Sequence, residues 1–138
     1  MPGKDIFHDA VRRALEKEDW TITHDPYFLR FGEVDLYIDL GAEQVIAAER
    51  AGQRIAVEIK SFVGASPVTD FHLAVGQFMN YRMALEEEEP ERTLYLAVPS
   101  DVYDTFFELP FGQTTIRRHG LKLIVYHPEQ EVIVTWQP

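Results

Sequence analysis

Apolar side chains recur along this chain at two spacings, and the switches between them predict its elements. Phe7, Val11, Ala14 and Leu15 fall at helical spacing, with Arg12, Arg13, Glu16, Lys17 and Glu18 on the other side, so Lys4 to Asp19 reads as a first helix. The period then shortens. Trp20 to Thr23 has strand character and stops at the turn pair Asp25-Pro26. Tyr27 to Phe31 reads as a short strand closed by Gly32. From Val34 to Leu40, Val34, Leu36, Ile38 and Leu40 alternate against Asp35, Tyr37 and Asp39, as on a half-buried strand. A hairpin follows: Val45 to Ala48, the turn Ala51-Gly52, then Ile55, Ala56, Val57 and Ile59.

Ser66-Pro67 has the chemistry of a helix start, Ser as N-cap and Pro at the first helical position. The main helix then carries Phe71, Ala74, Val75, Phe78, Met79 and Leu85, and dissolves in Glu86 to Glu89 before Pro90. Thr93 to Val98 is a continuous apolar run, typical of a strand covered on both faces. Ser100 opens a short helix that Pro110 ends. Gln113 to His119 is a further helix, with Gly120 as its stop. Leu121 to Tyr126 and Glu131 to Trp136 close the chain as two strands around His127-Pro128-Glu129. The core order is α-β-β-β-α-β, with a helical insert and a final hairpin.

The central hairpin carries the candidate chemistry. If Arg50 faces Gln53 across the turn, Val45 faces Glu58 and Glu43 faces Lys60. Strand alternation then places Glu43, Glu58 and Lys60 on one face, with Asp39 joining them if its strand stays regular. The open face of that strand is expected to be polar, and Ile55, Val57 and Ile59 to face the core. Carboxylates that converge repel one another unless a cation lies between them, and an all-oxygen ligand set suits a hard ion such as Mg²⁺ or Mn²⁺. A lysine beside such an ion can position a water, and the ion can stabilise charge on a phosphoryl group. The same acid-x-Lys alternation also occurs on ordinary half-exposed strands. On the main helix Leu73, Gln77 and Tyr81 share one stripe that could reach across this face.

Composition narrows the classes. At 138 residues with 46% hydrophobic side chains, the chain is read as one domain, residues 1–138, able to bury its own core. The absence of cysteine excludes a disulfide scaffold, a thiolate zinc cluster and a thiol nucleophile. The five histidines, His8, His24, His72, His119 and His127, show no close metal-ligand spacing, and most are expected at exposed or capping positions. No apolar run approaches the roughly 20 residues of a membrane helix, and Met1 to Asp5 lacks a signal-peptide core, so a soluble cytoplasmic protein is expected. A formal charge of −10 opposes loose binding to a polyanion. Weak DNA binding by the isolated chain is therefore expected. Tighter binding would need a basic partner or a homo-oligomer that pairs the Arg117-Arg118 segments; Lys4, Arg12, Arg13, Arg54 and Lys122 are the other cations that could flank the cleft, or stand as scattered solvated charges.

The order α-β-β-β-α-β with Glu58-Ile59-Lys60 late in a strand resembles the restriction-endonuclease-like, PD-(D/E)xK fold. That is a three-layer α/β (α+β) arrangement in which helices flank a central mixed sheet. Gln77-x-x-x-Tyr81 resembles the Q-x-x-x-Y motif that some of its nucleases carry on the next helix. A resemblance covering nearly the whole chain is to the XisH family, the fdxN element excision controlling factors of cyanobacteria. It rests on Thr21 to Pro26, Ile38 to Glu43, Ile55 to Phe62, Gly76 to Arg82 and Leu94 to Val98.

This resemblance implies a role in programmed DNA excision during heterocyst development, beside a site-specific recombinase and a small partner, XisI. Glu58 and Lys60 match the acid-x-Lys motif. Asp39 and Glu43 both stand as the upstream acid and metal ligand, because no Pro-Asp precedes the motif at the usual place. Asp25-Pro26 is reversed and too early. Where many members of the PD-(D/E)xK superfamily carry an acid on the first helix, this chain has His8-Asp9, with Glu16 further along. Two functions follow: a Mg²⁺-dependent endonuclease, or a non-catalytic accessory protein that keeps the fold and binds a protein partner.

Overall fold

The computed structural model describes residues 6–36, 44–64 and 66–138. Helix α1 (His8–Lys17) leads to β1 (Thr21–His24), a small hairpin of β2 (Leu29–Phe31) and β3 (Val34–Leu36), and the central hairpin of β4 (Gln44–Arg50) and β5 (Gln53–Ile59). The long helix α2 (Pro67–Glu88), strand β6 (Arg92–Pro99) and helix α3 (Ser100–Val102) follow, and α3 continues as a π-helical turn, Tyr103–Phe107. Helix α4 (Pro110–His119) and the strands β7 (Leu123–His127) and β8 (Val132–Gln137) complete the described chain.

Six strands form one mixed sheet in the order β1-β4-β5-β6-β7-β8, an α+β architecture. Strands β5, β6 and β7 run parallel, and the pairs β1/β4, β4/β5 and β7/β8 are antiparallel. The parallel step from β5 to β6 needs a crossover, which α2 supplies. Alternation along β5 divides the core. Ile55, Val57 and Ile59 join Val11 and Leu15 of α1, with Ile46, Ala97, Ile124 and Tyr126. Ala56 joins Phe71, Phe78 and Tyr81 of α2, with Leu94, Leu96, Leu123 and Val125. The sheet therefore has one apolar core on its α1 face and another on its α2 face.

The expected hairpin register is the observed one. Arg50 pairs with Gln53 and Val45 with Glu58. Ala51 and Gly52 both have positive φ, 51° and 82°, the backbone of a two-residue I′ turn that suits the strand twist. The Ser66 cap is also present, its hydroxyl accepting from the Thr69 amide at 3.2 Å. Gly120 closes α4 in the left-handed region at φ 60°.

Four expectations need correction. The first helix ends at Lys17 instead of Asp19, because Asp19 adopts φ 69° and breaks the helical run. Leu29–Phe31, shorter than the expected Tyr27 to Phe31, pairs with Val34–Leu36 in a separate two-stranded sheet, so among the described residues the three strands expected before α2 are β1, β4 and β5 of the main sheet. The Ser100 helix widens to π after Val102, with the Glu108 amide bonding to the Tyr103 carbonyl at 3.1 Å. That wider turn brings Phe106 and Phe107 together against Phe71, at ring distances of 5.2 Å each. Pro110 does not merely end a helix; it is the first residue of α4, where its missing N–H costs nothing. The next turn of α4 packs closely: a Cβ on Gly112 would lie 2.6 Å from the Phe107 carbonyl oxygen.

Candidate metal and phosphodiester site

Glu58 is placed by the parity of β5. Its neighbours Val57 and Ile59 are anchored in the α1-side core, so Glu58 must point the other way, beneath α2. It is completely buried. Neither carboxylate oxygen has a hydrogen-bond partner among the described residues. Burial holds its pKa well above the ordinary value near 4.5, because a lone carboxylate loses its hydration there.

Lys60 lies two residues on, on the same face and 6% exposed. Its ammonium donates to Gln77 Oε1 at 2.8 Å. The backbone around it is tied down as well. Its amide donates to the Ala97 carbonyl at 3.1 Å, and its carbonyl accepts from the buried Tyr126 hydroxyl at 3.0 Å. Tyr81, one helical turn beyond Gln77, is buried over the same region. Its hydroxyl is held well above the ordinary range, first by burial and second by the charge of Glu58. The stripe expected on α2 therefore splits. Gln77 and Tyr81 turn toward Lys60 and Glu58, whereas Leu73 is half exposed.

The open polar face expected around Glu58 and Lys60 is absent: both side chains are buried. Alternation gives the direction of a side chain and not its depth, and α2 covers this face. Asp39 and Glu43 lie outside the described residues, and with them the expected pairing of Glu43 and Lys60. Among the described residues no cluster of three His, Asp or Glu side chains could hold a metal. Glu58 is the described group that fits a hard cation. It is a buried carboxylate with two free oxygens, a donor chemistry that suits Mg²⁺ or Mn²⁺.

His8, the possible first-helix contributor, is neither exposed nor a cap. It is 1% exposed, and its Nε2 lies 2.7 Å from Asp25 Oδ2, which also accepts from Arg12 Nη1 at 2.6 Å. The triad ties α1 to the Asp25-Pro26 turn, so His8 is engaged there and not at Glu58 or Lys60. Asp9 is exposed on the outer side of α1. Asp25, set aside as too early for the motif, is thus an organising acid on this side of the molecule. Two structural contributors escaped sequence reading, Asp25 and Tyr126. Tyr126 carries no local signal, because its partner Lys60 is 66 positions away.

The model of the XisH protein family matches residues 1–134. The chain is similar to the crystal structure of an XisH family protein from Nostoc punctiforme, at 48% identity and a TM-score of 0.90, covering 97% of this chain and 100% of that one. It is also similar to the structure of an fdxN element excision controlling factor protein from Anabaena variabilis. There the identity is 49% and the TM-score 0.89, covering 96% of this chain and 98% of the other. No curated protein matches the chain. Among the described residues, no helix is long and apolar enough to cross a membrane.

Proposed function

Since the chain belongs to the XisH family, we propose that it acts in excision of a DNA element, as a nuclease-like subunit whose site is built on Glu58 and Lys60. The observation that carries this reading is the buried carboxylate of Glu58, whose oxygens have no hydrogen-bond partner among the described residues, two residues from a lysine held in place by Gln77. A structure does not keep a lone buried carboxylate for stability, since its desolvation costs more than an apolar residue there would. A divalent ion would supply the missing partner. The sheet order, the helix pair on opposite faces and the Gln77/Tyr81 pairing support a restriction-endonuclease-like arrangement with this acid-x-Lys at its centre.

Glu58 would hold Mg²⁺ or Mn²⁺ together with Asp39 or Glu43. Bound there, the ion would polarise a phosphodiester and stabilise the leaving oxygen. Lys60, fixed by Gln77, would orient the attacking water, and the apolar wall of α2 would restrict other water from the site. The test is nicking of supercoiled plasmid with Mg²⁺ or Mn²⁺, with and without a copurified partner. Divalent-dependent nicking that vanishes in Glu58→Gln and Lys60→Ala supports the reading. Equal nicking by parent and variants rejects it.

A second reading, an accessory protein working through a recombinase or XisI-like partner, is favoured by the charge. The chain carries −10, and three of its few cations are committed within the fold. Arg12 binds Asp25, Arg13 binds Glu131, and Arg54 reaches Glu91 at 3.3 Å. The isolated chain should therefore bind duplex DNA weakly, at about 10⁻⁴ M or worse in physiological salt. In this reading a positively charged partner brings the DNA.

A further inference from the structure

The 23 acids of the chain leave two long gaps, residues 109–128 and 71–85, which are its longest runs without Asp or Glu. The first gap holds Arg117, Arg118 and Lys122, and the second holds Arg82. The fold joins the two. Arg82 lies on α2, and its guanidinium donates to the carbonyls of His119 and Gly120, at 2.7 and 3.1 Å, where α4 ends. It also lies over the Phe78 ring at 5.4 Å, which fixes it further. Arg82 and Lys122 line one pocket of about 160 Å³. Glu86 is the one acid lining that pocket, and Arg92, its third cation, is paired with Glu89 at 3.1 Å. Four cations are thus gathered around the last turn of α4.

They exceed what the fold uses. A helix C-terminus attracts cations by its dipole, but here Arg82 already meets the free carbonyls of α4. Arg117 and Arg118 are exposed, and neither they nor Lys122 make a side-chain hydrogen bond or ion pair among the described residues. Arg12, Arg13, Arg54 and Arg92, by contrast, each face a carboxylate. The surroundings of the patch decide its occupant. No large apolar side chain between residues 112 and 128 is exposed, so nothing there offers an anchor to a protein partner or enters a bilayer. A second copy of this chain would set cations against cations across an isologous contact. Phosphates ask only for charge and for the forked N–H donors of arginine.

We propose that Arg82, Arg117, Arg118 and Lys122 form the surface that holds the phosphate backbone of duplex DNA. This rests on the reading that the chain acts on a DNA element, and it assigns the place of contact. Arg82 is five residues beyond Gln77 on α2, about 7.5 Å of axial rise at 1.5 Å per residue. A backbone held here therefore runs beside the helix that covers Glu58 and Lys60. Contacts of this kind position a duplex and read no sequence. Four of them are few, which agrees with weak binding by the isolated chain.

The experiment titrates the full chain, isotope-labelled for NMR, with a short DNA duplex at several low salt concentrations. Divalent ions are left out, so cleavage cannot enter the readout. The duplex should shift the resonances of residues 116–122 and of Arg82. The logarithm of the affinity should fall with the logarithm of salt at a slope of about −3.6, or 0.9 for each of four contacts. Arg117→Gln/Arg118→Gln changes only exposed, unpartnered side chains and should melt like the parent. It should bind at least about tenfold more weakly and flatten the slope by about 2. Arg13→Gln/Arg54→Gln makes the same change in net charge elsewhere and should keep the slope of the parent. Equal losses in the two variants would mean that net charge alone governs binding, and would overturn the patch. Shifts confined to other residues, or no binding of the duplex at the lowest salt, would overturn it as well. A polyglutamate peptide of equal charge that binds residues 116–122 as tightly as the duplex would assign the patch to an acidic protein instead. The cleavage reading stands or falls separately, on nicking in the presence of Mg²⁺ or Mn²⁺ and a copurified partner.

Discussion

The two faces of β5 are one residue apart in sequence and opposite in their effect on stability. Toward α1, Ile55, Val57 and Ile59 pack among Val11, Leu15, Ile124 and Tyr126, all apolar apart from the Tyr126 hydroxyl, which has a partner. Toward α2, Ala56 is followed by Glu58, buried with no hydrogen bond among the described residues, and Lys60, buried and bound to Gln77. The first face is apolar, whereas on the second the burial of Glu58 opposes the apolar packing that surrounds it. A desolvation cost of that kind at the centre of a sheet is the physical ground for proposing a site there.

The largest effect expected from breaking this contrast is on the α1 side. Val57→Asp would add a second buried carboxylate, on a face with nothing to receive it. The cost is several kcal/mol, against the ~5–15 kcal/mol that holds a domain together. The variant should be insoluble or lack a cooperative melt. A soluble, cooperatively melting Val57→Asp protein would mean that the two faces are assigned the wrong way round.

The opposite sign is expected one residue on. Glu58→Gln keeps the shape and removes the charge, so without divalent ions it should be more stable than the parent at neutral pH, by about 1–3 kcal/mol. The pH dependence follows from linkage. Burial raises the Glu58 pKa above its ordinary value near 4.5, so above that pH the unfolded chain releases a proton that the folded chain retains. Stability of the parent is therefore lost as pH rises from about 4.5 toward the folded pKa, and the advantage of Glu58→Gln vanishes below that window. Chemical denaturation across pH 4 to 8 measures both slopes. Parallel curves for parent and variant would show that Glu58 is solvated or partnered in solution.

Much of this contrast is legible in the sequence. The parity of Val57 and Glu58 follows from strand alternation, and the register from the two-residue turn at Ala51-Gly52, so residue order alone assigns the two faces. The depth of Glu58 does not follow from it. That depth is set by α2, which crosses over from the far end of β5, and no local pattern says how closely a helix lies on a strand. The same limit hides the His8–Asp25–Arg12 triad, whose members are brought together only by docking of α1 on β1. The small β2–β3 sheet escapes for a different reason. Its strands alternate like those of the main sheet, and alternation does not say which partner a strand takes.

A smaller effect joins the two faces. The Tyr126 hydroxyl reaches from the α1-side core to the Lys60 carbonyl at 3.0 Å. Tyr126→Phe should cost about 1 kcal/mol of stability, the net worth of a typical buried hydrogen bond. Its melting transition should shift modestly and remain cooperative. Loss comparable with Val57→Asp would show that the end of β5 depends on this contact for its fold and not only for its alignment.

The central claim is that the unpartnered Glu58 carboxylate exists to meet a cation. Calorimetric titration of Mn²⁺ and Mg²⁺ into the parent and into Glu58→Gln addresses it most directly, because it needs neither DNA nor a partner. Saturable binding by the parent, with proton release as Glu58 ionises and with loss of that binding in Glu58→Gln, is the predicted result. Identical isotherms for the two proteins would contradict it.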